Sequence, residues 1–328
     1  MIYGATGYTG RLACDHAKRI GLDFMIAGRN EAKLKSLAAR LSVPHCTFDI
    51  SDDSALADNI DDVLVLLNIA GPFSRTAKAL MKACIHKGVH YLDTSAELIS
   101  YQLAEQYSDE ARKANVMLLP GCGGSVAMFS CLTAFAIQKH GLARDIKSVD
   151  IALQISGGMS QGSMKSAAEA VTNVCFELRD GILAKVAPEN KRSFHFGKGG
   201  GPVECLQITL PDLITVAKSS GILNIRCFFN VTEPTPSTES HPDDIDGPSP
   251  QTRDANPYQA AVRLVPEDGH EEHAVLHTVN GYTFTYIASV EAARRVLVGQ
   301  AVAGFQTPVE VFGVDFVGSV PGSVMLSV

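Results

Sequence analysis

The sequence predicts an α/β protein whose first half is a doubly wound parallel sheet and whose second half is a separate α+β domain. Three observations carry that expectation. Short apolar runs alternate with amphipathic stretches ahead of Ile146, a glycine-rich turn follows the first of those runs, and longer strand candidates take over afterwards. A chain of 328 residues also exceeds the usual size of one domain.

The strands of the first half are Ile2-Tyr3, Phe24-Met25-Ile26, Cys46-Thr47-Phe48, Val63 to Leu67, His90-Tyr91-Leu92 and Val116 to Leu119. Each is short and apolar, as strands covered on both faces should be. Only Met1 to Tyr3 precede Gly4, so the first strand is expected to be stunted. Helices are predicted over Thr9 to Ile20, Glu31 to Leu41, Arg75 to Lys87 and Ala96 to Ala114, where apolar residues recur at i, i+3, i+4 and i+7. Asn30 and Ser74 stand at N-cap positions, and Thr94 or Ser95 is placed to cap the helix from Ala96, with Glu97 as its first-turn acid.

Beyond Ile146 the strand candidates lengthen to Ser148 to Ile155 and Gln259 to Val265. Asn280-Gly281, between Ala274 to Val279 and Tyr282 to Tyr286, predicts a two-residue hairpin, because a type I′ turn needs positive φ at both central positions. Thr232 to Pro257, rich in Pro, Ser, Asp and Thr, predicts a surface loop. Gly157 to Lys165 is a second glycine-rich stretch ahead of a helical run from Ser166 to Phe176, and Ser289 to Val298 is a last helical run.

A net charge of −7 without a basic stripe argues against nucleic acid as a partner. The eight cysteines are scattered with no CxxC pair and no zinc-ligand spacing, which predicts free thiols, no metal and a cytosolic location. Val116 to Ile137 carries no charged side chain, but Pro120, Gly121, Gly123 and Gly124 break it near its start. A buried strand, a turn and a buried helix explain it better than a membrane span.

Gly4-Ala5-Thr6-Gly7-Tyr8-Thr9-Gly10 leaves a strand and enters an amphipathic helix, with the next strand following at Phe24 to Ala27. Such a turn lets the backbone of Gly4, Thr6, Gly7, Tyr8, Thr9 and Gly10 approach the pyrophosphate of a nicotinamide dinucleotide, and the third glycine lets the helix pack closely. The second strand ends in Ala27-Gly28-Arg29-Asn30, without the acid that would bind a ribose 2′-hydroxyl. Arg29, with Asn30 and with Lys33 one helical step later, suits a 2′-phosphate, so NADP is favoured over NAD.

Four further stretches lie at carboxyl ends of strands or at a helix start. Asn68 could touch the nicotinamide ribose or cap its own turn, and Gly71-Pro72 would bend the chain over the cofactor. Tyr91 and Asp93 leave the fifth strand where a substrate could be bound or protonated. Ser125 follows the turn Gly121-Cys122-Gly123-Gly124, and Lys165 is a proton-donor candidate in the second half. Cys122 reads as a small buried thiol rather than a nucleophile. Tyr101, Tyr107 and Tyr258 all lack a lysine four residues on, against a Tyr-x-x-x-Lys mechanism.

Taken together, the glycine turn, Ala27 to Asn30, Ala70-Gly71-Pro72-Phe73, His90 to Asp93 with Glu97, Gly281-Tyr282, Gly304 to Pro308 and Phe312 to Phe316 resemble the saccharopine dehydrogenase-like oxidoreductases, including their trans-acting enoyl reductase subgroup. The resemblance implies a Rossmann-type sheet over 1–125, an inserted α+β substrate or dimerisation domain over 126–285, and a segment over 286–328 that returns to the first domain. It also implies NAD(P)-dependent reduction of C=N or activated C=C bonds; with Arg29 the expectation becomes an NADP(H)-dependent reductase acting on a C=N, activated C=C or carbonyl group of a small molecule such as a secondary metabolite. A homodimer is a further expectation. Where that family has a Gly-Phe-Asp-type turn followed by proline after the sixth strand, this chain has Gly123-Gly124-Ser125-Val126. A non-redox isomerase or cyclase on the same scaffold, and an NADP-binding sensor without turnover, are the alternatives.

Overall fold

The predicted apolar runs form the parallel strands of one sheet in the computed structural model, which describes residues 1–142, 146–170, 174–187, 190–197, 199–232 and 246–328. These strands are β1 (Ile2–Tyr3), β2 (Ile26–Gly28), β3 (His45–Thr47), β4 (Val65–Asn68), β5 (His90–Asp93) and β6 (Met117–Leu119), joined by β15 (Gly304–Phe305) from near the end of the chain. The order is β15-β6-β5-β4-β1-β2-β3, parallel throughout. Strand order reverses between β1 and β4, and open α/β sheets bind ligands at that switch point, beyond the carboxyl ends of the strands. The first strand is short, yet it sits in the centre of the sheet, with Ile2 opposite both Ile26 and Leu67.

The helices between these strands are α1 (Tyr8–Arg19), α2 (Glu31–Leu41), α3 (Asp53–Asn59), α4 (Phe73–Lys87), α5 (Leu98–Gln106) and α6 (Ser108–Lys113). Each long one buries a stripe at helical spacing: Gly10, Ala13, Cys14 and Ala17 on α1, Leu34, Leu37, Ala38 and Leu41 on α2, and Ala77, Leu80, Met81 and Cys84 on α4. Asn30 caps α2 as expected, accepting from Lys33 N. Ser74 does not cap α4, which begins at Phe73 behind Pro72. The stretch Ala96 to Ala114 is two helices rather than one, and neither Thr94 nor Ser95 is a cap, since α5 follows Glu97.

The second sheet is mixed and nine-stranded. It contains β7 (Ile146–Ile155), β8 (Cys175–Arg179), β9 (Ile182–Val186), β10 (Lys191–Phe194), β11 (Val203–Ile208), β12 (Ile225–Val231), β13 (Tyr258–Pro266), β14 (Glu272–Thr278) and β16 (Val324–Ser327). Its main path runs β10-β11-β12-β7-β13-β14-β16, with β8 and β9 beside β12. The remaining helices are α7 (Ser125–Lys139), α8 (Gln161–Ala170), α9 (Asp212–Ser220), α10 (Pro250–Ala255), α11 (Gly281–Leu297) and α12 (Pro308–Phe312). No helix among the described residues is long and apolar enough to cross a membrane.

The chain divides into two units, one of Met1–Gly123, Ser160–Glu169 and Thr285–Gln306, the other of Gly124–Met159, Ala170–Phe284 and Thr307–Val328. Only part of the tail accompanies the first sheet, therefore: β16 adds to the second, with Leu326 opposite Val275. The expected hairpin at Asn280-Gly281 is absent, and α11 begins there instead. Asn280 Oδ1 accepts from Tyr282 N at 3.1 Å and its carbonyl from Phe284 N at 2.9 Å, so the asparagine is a helix cap. Gly281 is small for packing, because a Cβ there would lie 2.2 Å from Cε2 of Tyr258. Helix α8 starts ahead of the predicted Ser166, so Gly162 to Lys165 lie inside it; residues 171–173 of that predicted run, and 233–245 of the predicted loop, are outside the described residues. Within that loop Pro250–Ala255 is helical, capped by Ser249.

Candidate functional site

The glycine turn sits at the switch point and is held by its own backbone. Gly4 N donates to Ala27 O at 2.9 Å, and Gly7 N closes the turn on Gly4 O at 3.1 Å. Gly4 has φ +84°, and a Cβ on it would lie 2.7 Å from Ala70 N in the loop after β4. A Cβ on Gly10 would lie 2.2 Å from Gly4 O, so the first turn of α1 crosses directly over the loop. Gly7 occupies the N-cap without a side chain, and α1 has no acid in its first turn. Its positive end is therefore not neutralised locally, which fits the pyrophosphate of a dinucleotide. Thr6, Tyr8 and Thr9 are half-buried on this turn and the start of α1.

Beside the turn, α1 and α2 border a groove of about 460 Å³ lined by Thr6, Arg11, Lys33, Ser36 and Arg40 together with Ala32 and Leu37. Arg11 Nη1 donates to Thr6 O at 2.9 Å, and Arg40 pairs with Asp15 at 2.7 Å. The Lys33 ammonium has no partner among the described residues, while its backbone N is held by Asn30 Oδ1 at 3.0 Å. Asn30 thus spends its carbonyl oxygen on the helix. Arg29 is exposed at the end of β2 and is not part of the groove wall. Sequence reasoning found Lys33 but missed Arg11, Ser36 and Arg40. Positions 33, 36, 37 and 40 form one helical face, which is the signal that was there to read.

Asn68, Tyr91 and Asp93 come together, but away from any surface: all three are 0 % exposed. Asn68 Nδ2 donates to Tyr91 Oη and to Thr76 Oγ1, both at 3.1 Å, and its Oδ1 accepts from Ala70 N at 2.9 Å. Tyr91 Oη donates to Asp93 Oδ2 at 2.9 Å, and Asp93 Oδ1 accepts from Ser95 N and Gly121 N at 2.8 Å each. With its amide filled in this way, Asn68 braces the loop after β4 and does not reach a ribose. The network ties together the loops that follow β4, β5 and β6. Burial pushes Asp93 up to about 6, against the pull of the two amides and the phenol, and holds the Tyr91 phenol well above its usual range.

Glu97 acts at a distance. Its carboxylate accepts from Phe73 N at 2.9 Å and from Ser74 N at 2.7 Å, supplying the cap of α4 that Ser74 was expected to give. The peptide Gly71–Pro72 ahead of that helix is cis. Cys122 Sγ donates to Asp93 O at 3.1 Å, and burial keeps the thiol protonated, so it is a packed side chain rather than a nucleophile. Lys165 is exposed on α8 in the first unit. Ser125 belongs to the second unit and is half-buried, with its Oγ 3.3 Å from Asp212 Oδ2. Burial raises Asp212 to about 7.

Residues 1–119 match the family model of the saccharopine dehydrogenase NADP binding domain. That stretch lies within the first unit. Among curated proteins, a lipid droplet localized protein of Caenorhabditis elegans is 27% identical over 137 residues, 38% of this chain and 32% of its own length. A carboxyaminopropylagmatine dehydrogenase of Synechocystis is 31% identical over 130 residues, 36% of this chain and 32% of its own. A trans-acting enoyl reductase of Mycobacterium leprae is 28% identical over 135 residues, 38% of this chain and 31% of its own. The matches thus span about a third of the length of these relatives. In fold, saccharopine dehydrogenase of Saccharomyces cerevisiae superposes over 100% of this chain and 99% of its own, at TM-score 0.68 and 13% identity. The saccharopine dehydrogenase-type architecture therefore extends over both units. In sequence the likeness to that family lies in residues 1–119, and in fold the likeness covers the whole chain.

Proposed function

We propose that the protein is an NADP(H)-dependent reductase acting on a C=N, activated C=C or carbonyl group of a small molecule. The observation that carries this reading is the pairing, within one unit, of a turn with no room for a side chain at Gly4 or Gly10 and a groove beside it that presents Lys33, whose ammonium has no partner among the described residues. The amides of Gly4 to Gly10 would hold the pyrophosphate. Lys33, Thr6 and Ser36 would hold the 2′-phosphate, with Arg29 over the adenine end. The bound dinucleotide supplies a hydride.

The chain's own residues supply position and protons. Asn68, Tyr91 and Asp93 keep the loops after β4, β5 and β6 in register with the glycine turn, a positioning role that suits their burial. Of the proton-donor candidates, Ser125 is half-buried and Lys165 exposed, so both can exchange protons with solvent. Titration with NADPH and NADH tests the reading: NADPH is expected to bind at least tenfold more tightly, and equal affinities would refute the choice of cofactor.

A further inference from the structure

The geometry points to an anion site on the second sheet, where Arg192, Arg226 and Arg263 bind the phosphoryl group of a small soluble ligand. All three belong to the second unit, and the site does not depend on the reductase reading. Strand register builds it. Arg226 of β12 stands opposite Asp150 of β7, Asp150 opposite Arg263 of β13, and Arg263 opposite His273 of β14. Directly opposed residues share a face, so these side chains form one polar row across adjacent strands. Arg192 reaches the row from β10. Two residues away on the same four strands, Ala152, Phe228, Ala261 and Val275 are buried in one cluster with Phe194 and Phe196, so the row borders an apolar core that fixes its strands.

Asp150 is the hub of the row and is 1 % exposed. Its Oδ2 accepts from Arg226 Nη2 at 3.1 Å, from Arg263 Nη1 at 2.9 Å and from Arg192 Nη1, while its Oδ1 accepts from Arg226 Nε at 2.7 Å. A buried carboxylate needs a cation beside it, and a single guanidinium balances its charge. Glu271 engages a second, accepting from Arg263 Nε at 2.6 Å. Three guanidiniums against two carboxylates leave one positive charge in excess. At the end of the row His273 is held below its usual range by burial, with Arg263 and His195 adding to the fall and Glu271 opposing it.

Sharing one oxygen atom holds the three guanidiniums in a small volume, so a single anion can reach more than one of them. Their outer edges meet solvent: the side chains of Arg192, Arg226 and Arg263 are 29%, 35% and 19% exposed. Arg192 Nε and Nη2 and Arg226 Nη1 have no partner among the described residues. Glu271 is paired with Arg263, which leaves Arg192 and Arg226 as the main donors to a ligand. Forks arriving from different strands suit the tetrahedral oxygens of a phosphoryl group better than the two coplanar oxygens of a carboxylate. The net charge of −7 opposes an extended polyanion or an anionic membrane, so a small soluble ligand fits best.

Calorimetric titration with inorganic phosphate, at constant ionic strength set by sodium chloride, tests the site. Arg192→Gln should lose at least about tenfold in phosphate affinity. Asp150 keeps Arg226 and Arg263 in that variant, so its buried charge stays paired. Arg192→Lys, which keeps the charge without the fork, should fall between Arg192→Gln and the parent. An unmoved affinity in Arg192→Gln overturns the proposal, as does malonate binding the parent as tightly as phosphate. Lys33→Ala separates the two units: phosphate affinity should stay at the parent's value, and its loss there would place the anion at the groove beside the glycine turn and overturn the site. Phenylglyoxal modification of the parent, mapped by mass spectrometry, reads the site without a variant. Phosphate should slow modification of Arg192 and Arg226, and unslowed rates overturn the proposal. Vesicles of phosphatidylcholine with phosphatidic acid should not sediment the protein, and sedimentation that is lost in Arg192→Gln would overturn the soluble ligand.

Discussion

Ser125 Oγ is the side-chain partner of Asp212, and the two residues lie 87 positions apart in the chain. The pairing sets a stability prediction that is independent of function. Asp212 is raised from 3.8 to about 7 on folding, so the native state holds a proton that the unfolded chain has released. Its contribution is fully present below the unfolded value and is lost as pH rises through about 7. Between pH 5 and pH 8 the parent should lose roughly 2–3 kcal/mol from this group. Asp93, raised to about 6, adds a loss of the same sign. Urea midpoints at the two pH values should show a shallower loss for Asp212→Asn than for the parent, and an equal loss would exclude the assignment.

Two glycines of one motif should respond differently to alanine. A methyl at Gly10 would lie 2.2 Å from Gly4 O, a backbone atom that cannot step aside. At Gly7 the nearest atom would be 3.4 Å away, and φ is −72°, which alanine accepts. Gly10→Ala should cost about 1–3 kcal/mol or more and abolish dinucleotide binding, while Gly7→Ala should stay close to the parent in stability. Thermal unfolding of both variants with and without NADPH checks the contrast.

Glu97 should behave as a helix cap supplied from another element. Removing its carboxylate leaves Phe73 N and Ser74 N at the positive end of α4 without this acceptor. Glu97→Ala is expected to cost about 1–2 kcal/mol, and Glu97→Gln, which keeps one acceptor, about half of that. Urea unfolding of the two variants gives the order, and Gln as damaging as Ala would point to charge rather than capping.

What the sequence made legible follows from which forces are local. The runs Val63 to Leu67 and Val116 to Leu119 were recognisable as strands because strands covered on both faces are apolar, and the structure has Val65–Asn68 and Met117–Leu119 there. Asn280-Gly281 was not, because the same asparagine serves a hairpin turn or a helix cap, and only the ring of Tyr258 shows why a glycine follows it. Asn68, Tyr91 and Asp93 could be picked out as a polar cluster at strand ends. Their role could not, since it depends on amides of Ala70, Ser95 and Gly121 that close around them. Asp212 offered no motif at all. Its significance comes from burial and from a partner on a distant helix.

Lys33 and Arg29, both expected from the sequence to meet a 2′-phosphate, should behave differently when removed. Lys33 lines the groove beside the glycine turn and its ammonium has no partner among the described residues, whereas Arg29 stands outside the groove wall. A fixed cation at a phosphomonoester contributes a charge-assisted bond to NADPH that NADH cannot make. Lys33→Ala should therefore weaken NADPH by roughly tenfold to thirtyfold and leave NADH unchanged, from a bond of about 1.5–2 kcal/mol. Arg29→Ala should weaken both dinucleotides by a smaller, similar factor, as loss of a stacking surface would. Calorimetric titration of the two variants with both dinucleotides reads the four constants. If Arg29→Ala were to carry the discrimination instead, the 2′-phosphate would sit at the end of β2, and the groove between α1 and α2 would lose its part in cofactor choice.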